Sequence, residues 1–500
     1  MEGQLKRGAI LSYVVIFVKL IVNLTYTPYM LRALGTSEYG LYSIGASIVA
    51  YLTVLDLGFG NAIVRYTAKY RAEGKAKEQE VLIGMFIILY SVIGFVTLCI
   101  GALMIIGADS FFEATMTQNE LYKVKIILAL MVFNVSVTFP LSVWGSIMTA
   151  YEQFVFPKIV SIARVLLNAI IMVVLLYLGY KAIALVVVAS LFNILSLLLN
   201  YLYCVFHLKI KVRYETVSFI FLKEIIGYSF LIFLNVIMDK VYWNSGQIIL
   251  GAFSGTRQVA EFSISVQIIL YFMLLNVAVS NMVLPRITFL VVKGTERMVS
   301  DFVIKVSRLQ FFLISYILGG FILFGKRFVL LWAGDQYEIS FYCTLILMIP
   351  MSIDILFSTH AKVLQARNQM LYRSIVCVVS AFICLILQIP AAKFFGSLGV
   401  SSVIAFVFAI QIAIMAFHYH IIQKINMIEL SKSIIQISWV PIILVLLFFI
   451  ANTSSFNNNF VYYLSLIIIY TTLSLLLFWF FVMNEYEKAL MRSIVAILRS

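Results

Sequence analysis

Charge is scarce in this sequence. Only 12% of its 500 residues are Asp, Glu, Lys or Arg, whereas 63% are hydrophobic and the mean hydropathy is +1.05. Soluble domains carry about 25% charged residues and about 45–50% apolar ones, so this chain has too little polar surface to cover a water-soluble core. Long polar connections are missing as well. The longest one on the outer side, near 108–123, leaves no room for an extracellular catalytic domain. The five cysteines lie in apolar segments without a CxxC pair, and the four histidines show no HExxH spacing, so neither disulfides nor a metal site is expected. No Walker motif is present, so ATP hydrolysis by this chain is excluded. No cofactor and no enzymatic activity are expected.

Apolar length is what the sequence has instead. A helix needs about 20 residues to cross the ~30 Å hydrocarbon layer. Segments of that kind fall at 9–31, 40–60, 81–107, 124–148, 159–178, 182–206, 225–250, 262–285, 309–331, 340–362, 373–392, 399–420, 434–451 and 460–483. The reading is an all-α polytopic membrane protein of about fourteen spans. The first span follows MEGQLKRG and is too long, with no small-residue cleavage site nearby, to be a signal peptide.

The net charge of +14 would suggest nucleic acid in a soluble protein. Here it follows topology. With the N-terminus inside, 25 of the 36 Lys and Arg residues fall in inner connections and 8 in outer ones, leaving Lys19, Arg164 and Lys240 within spans. That bias places both termini in the cytoplasm and predicts no nucleic-acid partner. The inner connections near 61–80 and 286–308 are basic and suited to lie on an anionic leaflet.

The chain also repeats itself. A shift of 220 residues places Ala33-Leu34-Gly35-Thr36 on Phe253-Ser254-Gly255-Thr256, and Tyr42-Ser43-Ile44 on Phe262-Ser263-Ile264. Six spans preserve orientation, so the repeat is parallel. It predicts an N-lobe at 1–206, a cytoplasmic linker at 207–224, a C-lobe at 225–420, and two further helices with a tail at 421–500.

A charge at the bilayer centre costs about 2.5–3.5 kcal/mol and usually faces a cavity. The in-span polar residues are therefore candidate pathway residues. Ser12, Lys19, Asn23 and Tyr26 share a helical stripe in span 1, and Asn235, Asp239, Trp243 and Gln247 share one in span 7. Lys240 points about 100° away from Asp239 and continues to Asn244. Arg164 and Asn168 pair in span 5, and Asp354 and Ser358 in span 10. Under the shift Lys19 falls on Asp239, which predicts opposite charges facing each other at equal depth across the lobe boundary. Arg164 lies toward the inner end of its span, where snorkelling and a bidentate grip on phosphate are both open to it. Asn134, Asn193 and Asn200 read as interhelical packing.

Several turns resemble one family. Leu34-Gly35-Thr36-Ser37-Glu38-Tyr39-Gly40-Leu41-Tyr42 is similar to the LG-x-x-x-YG-x-Y turn of the polysaccharide flippases, and Asp56-Leu57-Gly58-Phe59-Gly60-Asn61 with Arg65 is similar to their D-x-G…R element. Leu250-Gly251-Ala252-Phe253-Ser254-Gly255 and Leu331-Trp332-Ala333-Gly334-Asp335-Gln336-Tyr337 resemble their later turns. The resemblance implies the multidrug/oligosaccharidyl-lipid/polysaccharide exporter superfamily, two six-helix lobes that open alternately, and a bacterial cytoplasmic (inner) membrane location. The implied substrate is an undecaprenyl-pyrophosphate-linked glycan, the repeat unit of O-antigen or capsule. Membrane lipid, a coupling ion (H+ or Na+), and the polysaccharide polymerase with its chain-length machinery are the further partners it allows. In this reading Lys19, Arg164 and Lys240 serve the phosphates, Asn and Tyr stripes serve the sugars, and Asp56 with Arg65 forms a structural ion pair at a hinge. The two alternatives are a drug/cation antiporter of the same fold, working through Asp239 and Asp354, and a membrane polysaccharide polymerase, for which the topology offers no domain.

Overall fold

The computed structural model describes residues 2–214, 219–450, 460–489 and 491–492, with side chains except at 2–3, 5–6, 9–10, 219–235 and 275–282. Among the described residues it is helical and without strands. In chain order the helices are α1 (Glu2–Leu52), α2 (Phe59–Ala72), α3 (Ala76–Phe112), α4 (Gln118–Ala150), α5 (Val155–Tyr177), α6 (Ala182–Leu202) and α7 (Phe219–Phe253). They continue with α8 (Thr256–Lys293), α9 (Glu296–Trp332), α10 (Glu338–Ala366), α11 (Met370–Ile421), α12 (Met427–Ile450) and α13 (Phe460–Leu477). Among the described residues ten helical stretches are long and apolar enough to cross a membrane. Two of them are double: α1 breaks at Gly35 and α11 at Gly396. Together with α7 and α8 these give the fourteen segments read from the sequence.

Several helices outrun their spans. The connection expected near 286–308 is helical on both sides, with α8 reaching Lys293 and α9 starting at Glu296, where the Thr295 side chain accepts from the Met298 N–H. The region near 61–80 is mostly α2, a short helix that ends at Ala72 and is followed by Gly74, whose φ of +70° favours glycine. Span 2 likewise ends earlier than expected. The second leg of α1 stops at Leu52, and after a 3-10 turn Leu57 and Gly58 take left-handed conformations before α2.

The chain divides into two compact units, one of Met1–Ser263 with Gln388–Ser397, the other of Ile264–Leu387 with Leu398–Ser500. In the first unit α3 and α4 pair closely, and their core includes Phe86, Tyr90, Phe139, Trp144 and Ile147. Pro140 lacks the N–H that would bond the Ser136 carbonyl within α4. Gly94 of α3 lies against that carbonyl, so close that a Cβ there would sit 2.5 Å from it. α4 begins with a capping box between Thr117 and Glu120.

Two turns of this unit, at Gly35 and Gly255, carry the internal repeat in their geometry. Gly35 and Gly255, 220 residues apart, have φ of +76° and +86°. Three residues after each glycine, an acidic or amide side chain caps a later helix. Glu38 Oε2 accepts from the Ala182 N–H at 3.2 Å where α6 starts, and Gln258 Oε1 accepts from the Ser397 N–H at 2.8 Å where the second leg of α11 starts. Glu38 is also paired with Lys123 at 2.5 Å. Gly40 lies against the Thr256 backbone, and Glu120 accepts from Ser37 and Thr256 at 2.5 and 3.1 Å.

In the second unit α12 and α13 dock on α9 through small residues and tyrosine hydroxyls. Gly319 leaves room for Pro441 and the Tyr470 hydroxyl. Tyr470 donates to the Tyr316 carbonyl at 2.8 Å, Tyr463 to the Phe324 carbonyl at 3.1 Å, and Tyr316 pairs with Thr471 at 2.8 Å. In lipid such close backbone approach and interhelical hydrogen bonds supply the association that hydrophobicity cannot. The π-helical turn Phe478–Val482 closes this bundle.

A Cβ at Gly40 would stand 2.2 Å from the Thr256 carbonyl oxygen, which is backbone and cannot yield cheaply. Gly40→Ala should destabilise the first unit by about 1–3 kcal/mol, read as a lowered melting temperature in detergent. Gly107→Ala, with nothing within 4 Å, is the control and should melt like the parent protein.

Candidate functional site: a cation cluster in the first unit

The cations read from spans 1 and 5 share one electrostatic neighbourhood, with Lys19 exposed and Arg164 half-buried. The electrostatic neighbours of Lys19 on α1 are Arg164 and Lys158, both on α5. Among the described residues none of these three forms an ion pair. Lys158 stands near the start of α5, and Arg164 lies six residues further on, about 9 Å deeper along the axis.

Arg164 does not snorkel. Its Nη1 group donates to Asn193 Oδ1 at 2.8 Å and reaches Ser196 Oγ at 3.4 Å, both on α6. Asn193 Nδ2 in turn donates to Asn134 Oδ1 at 3.0 Å and Thr138 Oγ1 at 2.8 Å on α4. The network ties three helices together and fixes the guanidinium. Only Nη1 is committed among the described residues, which leaves Nε–H and the Nη2 group of a five-donor fork for a ligand. Asn134 and Asn193 thus pack as expected. Asn200 does not fit that reading: its Oδ1 is buried without a hydrogen-bond partner among the described residues, as are Asn168 Oδ1 and Tyr26 Oη. Buried polar atoms are normally satisfied by protein or water, so these three call for water or substrate hydroxyls.

The remaining predicted residues scatter. Asn23 is exposed on α1. Asp239 is exposed, while Lys240 and Asn244 are half-buried on α7. The side chain of Asn235, expected in the Asp239 stripe, lies outside the described residues. Lys19 and Asp239 belong to one compact unit, and among the described residues no ion pair joins them. The side chain of Lys19 keeps company with α5 instead. Asp354 is half-buried on α10 in the second unit, an electrostatic neighbour of Tyr419 together with Arg373.

Asp56 and Arg65 do not form the expected ion pair. Asp56 Oδ1 accepts from the Tyr90 hydroxyl at 2.6 Å, and its carboxylate also takes the Gly58 N–H. Arg65 lies over the ring of Tyr66, 5.7 Å from its centre. The reversal at Leu57 and Gly58 turns the backbone so that Asp56 is met by Tyr90 of α3 and by the N–H of its own loop.

Sequence reading missed Lys158, which it counted only toward topology. Six residues separate Lys158 from Arg164, about 240° around the helix, so spacing does not group them. Lys19, from another helix, does.

The long apolar helices among the described residues make this a polytopic helical membrane protein. A family model described as polysaccharide biosynthesis protein matches residues 5–291, more than half of the sequence, and the chain belongs to that family. It is 21% identical over 324 residues to a Shigella flexneri protein named "Putative O-antigen transporter", a match covering 62% of this chain and 72% of that one. Among solved structures it is similar to the lipid II flippase MurJ in an inward closed conformation, with a TM-score of 0.71, 15% identity, and 94% and 97% of the two chains covered. It is also similar to an inward-facing multidrug resistance MATE family transporter of the MOP superfamily, with a TM-score of 0.66, 12% identity, and 83% and 96% covered. At these identities the structural likenesses establish the fold.

Replacing Asn193 by Leu would strip partners from Arg164, Asn134 and Thr138 at once. The expected cost is about 1–3 kcal/mol for each buried group left unsatisfied, seen as lowered thermal stability in detergent. Ser465→Ala, on the exposed face of α13, should leave stability unchanged.

Proposed function

We propose that the protein is a flippase that moves a polyprenyl-pyrophosphate-linked oligosaccharide repeat unit from the cytoplasmic to the outer leaflet by alternating access. One observation carries this reading: Lys19, Lys158 and Arg164 gather in one apolar helical unit with no ion-pair partner among the described residues. Like charges held near one another repel, and a visiting anion relieves that repulsion. A pyrophosphate is suited to it, since a guanidinium with Nε–H and Nη2 unspent binds phosphate oxygens in a bidentate fork. Tyr26, Asn168 and Asn200 would meet water or sugar hydroxyls. The isoprenoid tail would remain in lipid, where it costs nothing to solvate. Neither sugar nor pyrophosphate crosses the hydrocarbon layer unaided.

The family and the named relative support a glycan-linked substrate, and MurJ, a lipid II flippase, shares the fold. The inner-membrane location, both cytoplasmic termini and a coupling ion belong to this proposal. The second reading, a drug/cation antiporter, draws on the MATE neighbour and on Asp239 and Asp354. It would leave three uncompensated cations beside a cationic cargo, which is unfavourable.

Deletion of the gene should deplete long-chain surface polysaccharide and accumulate lipid-linked repeat units on the inner leaflet. Arg164→Gln and Lys19→Gln should each cut complementation about tenfold or more while the protein is made and melts normally. Restoration by both variants at the parental level would refute the phosphate role; unchanged polysaccharide with altered drug resistance on deletion would favour the antiporter.

Topology has its own check. Lys77→Cys, beyond α2, should react with a membrane-impermeant maleimide only after the cytoplasmic side is opened. Labelling of intact cells would reverse the orientation.

A further inference from the structure

The second unit holds a polar cavity of about 750 Å³ at the end where α9 and α12 begin and the turn Phe478–Val482 finishes. The positive-inside bias assigns this end to the cytoplasm. Four cations and two carboxylates line it: Arg297, Lys305, Arg308, Lys424, Asp301 and Glu429.

Arg308 is already spent. Its Nε lies 2.7 Å from Glu487 Oε1 and its Nη2 3.3 Å from Oε2, and both side chains are buried. Glu487 also accepts from the Asn484 N–H at 2.9 Å. This pair forms a neutral wall of the cavity. The other charges are different. Among the described residues Arg297, Lys305, Lys424, Asp301 and Glu429 make no ion pair. Lys305 lies over the Tyr486 ring at 5.5 Å, and Glu429 accepts from Asn426 Nδ2 at 3.2 Å.

One cavity thus presents exposed side chains of both charge signs that form no ion pair with each other among the described residues. A simple anion would meet Asp301 and Glu429, and a simple cation would meet the lysines. A ligand carrying a phosphate beside an ammonium satisfies both sets. The outward side of α12 supplies the other half of the argument. Ile428, Ile435 and Ile442 recur every seven residues, so they share one helix face. They are 59%, 71% and 55% exposed, on a face about 100° around α12 from the cavity-lining Glu429, Ser433 and Gln436. Such a row beds an acyl chain.

We propose that this cavity binds the headgroup of a zwitterionic phospholipid of the phosphoethanolamine type, with the phosphate on Arg297, Lys305 and Lys424, the ammonium on Asp301 and Glu429, and a chain along α12. The site shares no residue with the cation cluster of the first unit and stands independently of the substrate proposed there.

The test uses the full-length protein in detergent, delipidated and then titrated with phosphatidylethanolamine, phosphatidylglycerol or soluble phosphoethanolamine, with bound lipid read by native mass spectrometry. Phosphatidylethanolamine should bind at least about tenfold more tightly than phosphatidylglycerol, and soluble phosphoethanolamine should compete weakly. Lys305→Gln with Lys424→Gln should weaken both lipids about tenfold. Asp301→Asn with Glu429→Gln should weaken phosphatidylethanolamine alone and erase the preference. Melting in lipid-free detergent checks that the variants fold, and Lys305→Arg with Lys424→Arg should restore binding. A preference for phosphatidylglycerol, a soluble headgroup that binds as well as the lipid, or folded variants that bind like the parent would each overturn the proposal.

Discussion

The structure depends on how positive charge is kept inside an apolar helical unit. Arg164 cannot shed its proton in a protein, and lipid offers it no water. The network through Asn193 to Asn134 and Thr138 solves half of that problem, because amide and hydroxyl oxygens receive one end of the guanidinium. It does not neutralise the charge. Lys19 and Lys158 add to it. A unit meant only to be stable would place a carboxylate there, or a leucine, since well-packed apolar groups commonly match or exceed buried ion pairs in stability. The uncompensated charge is what the proposed anion site rests on.

The outer end follows the opposite rule. There the charges are matched within the chain: Glu38 with Lys123, Asp109 with Lys125, and Glu120 with the hydroxyls of Ser37 and Thr256. Gly40 brings backbone onto backbone at Thr256. The turn whose residues resemble the flippase family is therefore a brace. Its tyrosine and glycine serve close packing, and its acid serves a helix start. In the second half the same position carries Gln258 instead of Glu38 and performs the same capping with a neutral group. The repeat conserves the geometry and lets the charge vary.

Much of this was legible in the sequence. Fourteen apolar segments follow from length alone, because twenty residues without charge have few alternatives to a membrane helix. The repeat was visible at Gly35 and Gly255, where a positive φ restricts the choice of residue. Candidate cations were legible as exceptions, since a lysine or arginine in such a segment must have a reason. What could not be read was their assembly. Periodicity assigns Lys19 to a face of α1 but not to the helix opposite, so its expected partner was a carboxylate 220 residues away instead of Arg164. The Asp56–Arg65 pair failed for a related reason: the left-handed turn at Leu57 and Gly58 redirects the carboxylate toward Tyr90, and no spacing rule anticipates a reversal. Helix ends were misjudged where α8 and α9 run on past their apolar segments, because hydropathy marks the apolar stretch and not the helix.

The second unit shows why charge inside a membrane protein must be read by its partners and not by its count. Arg308 and Arg164 are both arginines in helical bundles, and both are substantially buried. Arg308 meets Glu487 in a two-point pair and is anchored besides by Gln436. Its charge is spent on joining α9 to the chain's last turns, a purely structural use that explains why α9, α12 and α13 hold together at that end. Arg164 meets only neutral oxygens. Removing Glu487 would create a buried unpaired cation and a folding defect, whereas at Arg164 that condition is already the native one. The contrast between Arg308, which this chain neutralises itself, and Arg164, which it meets only with neutral oxygens, is the physical ground of the proposed anion role.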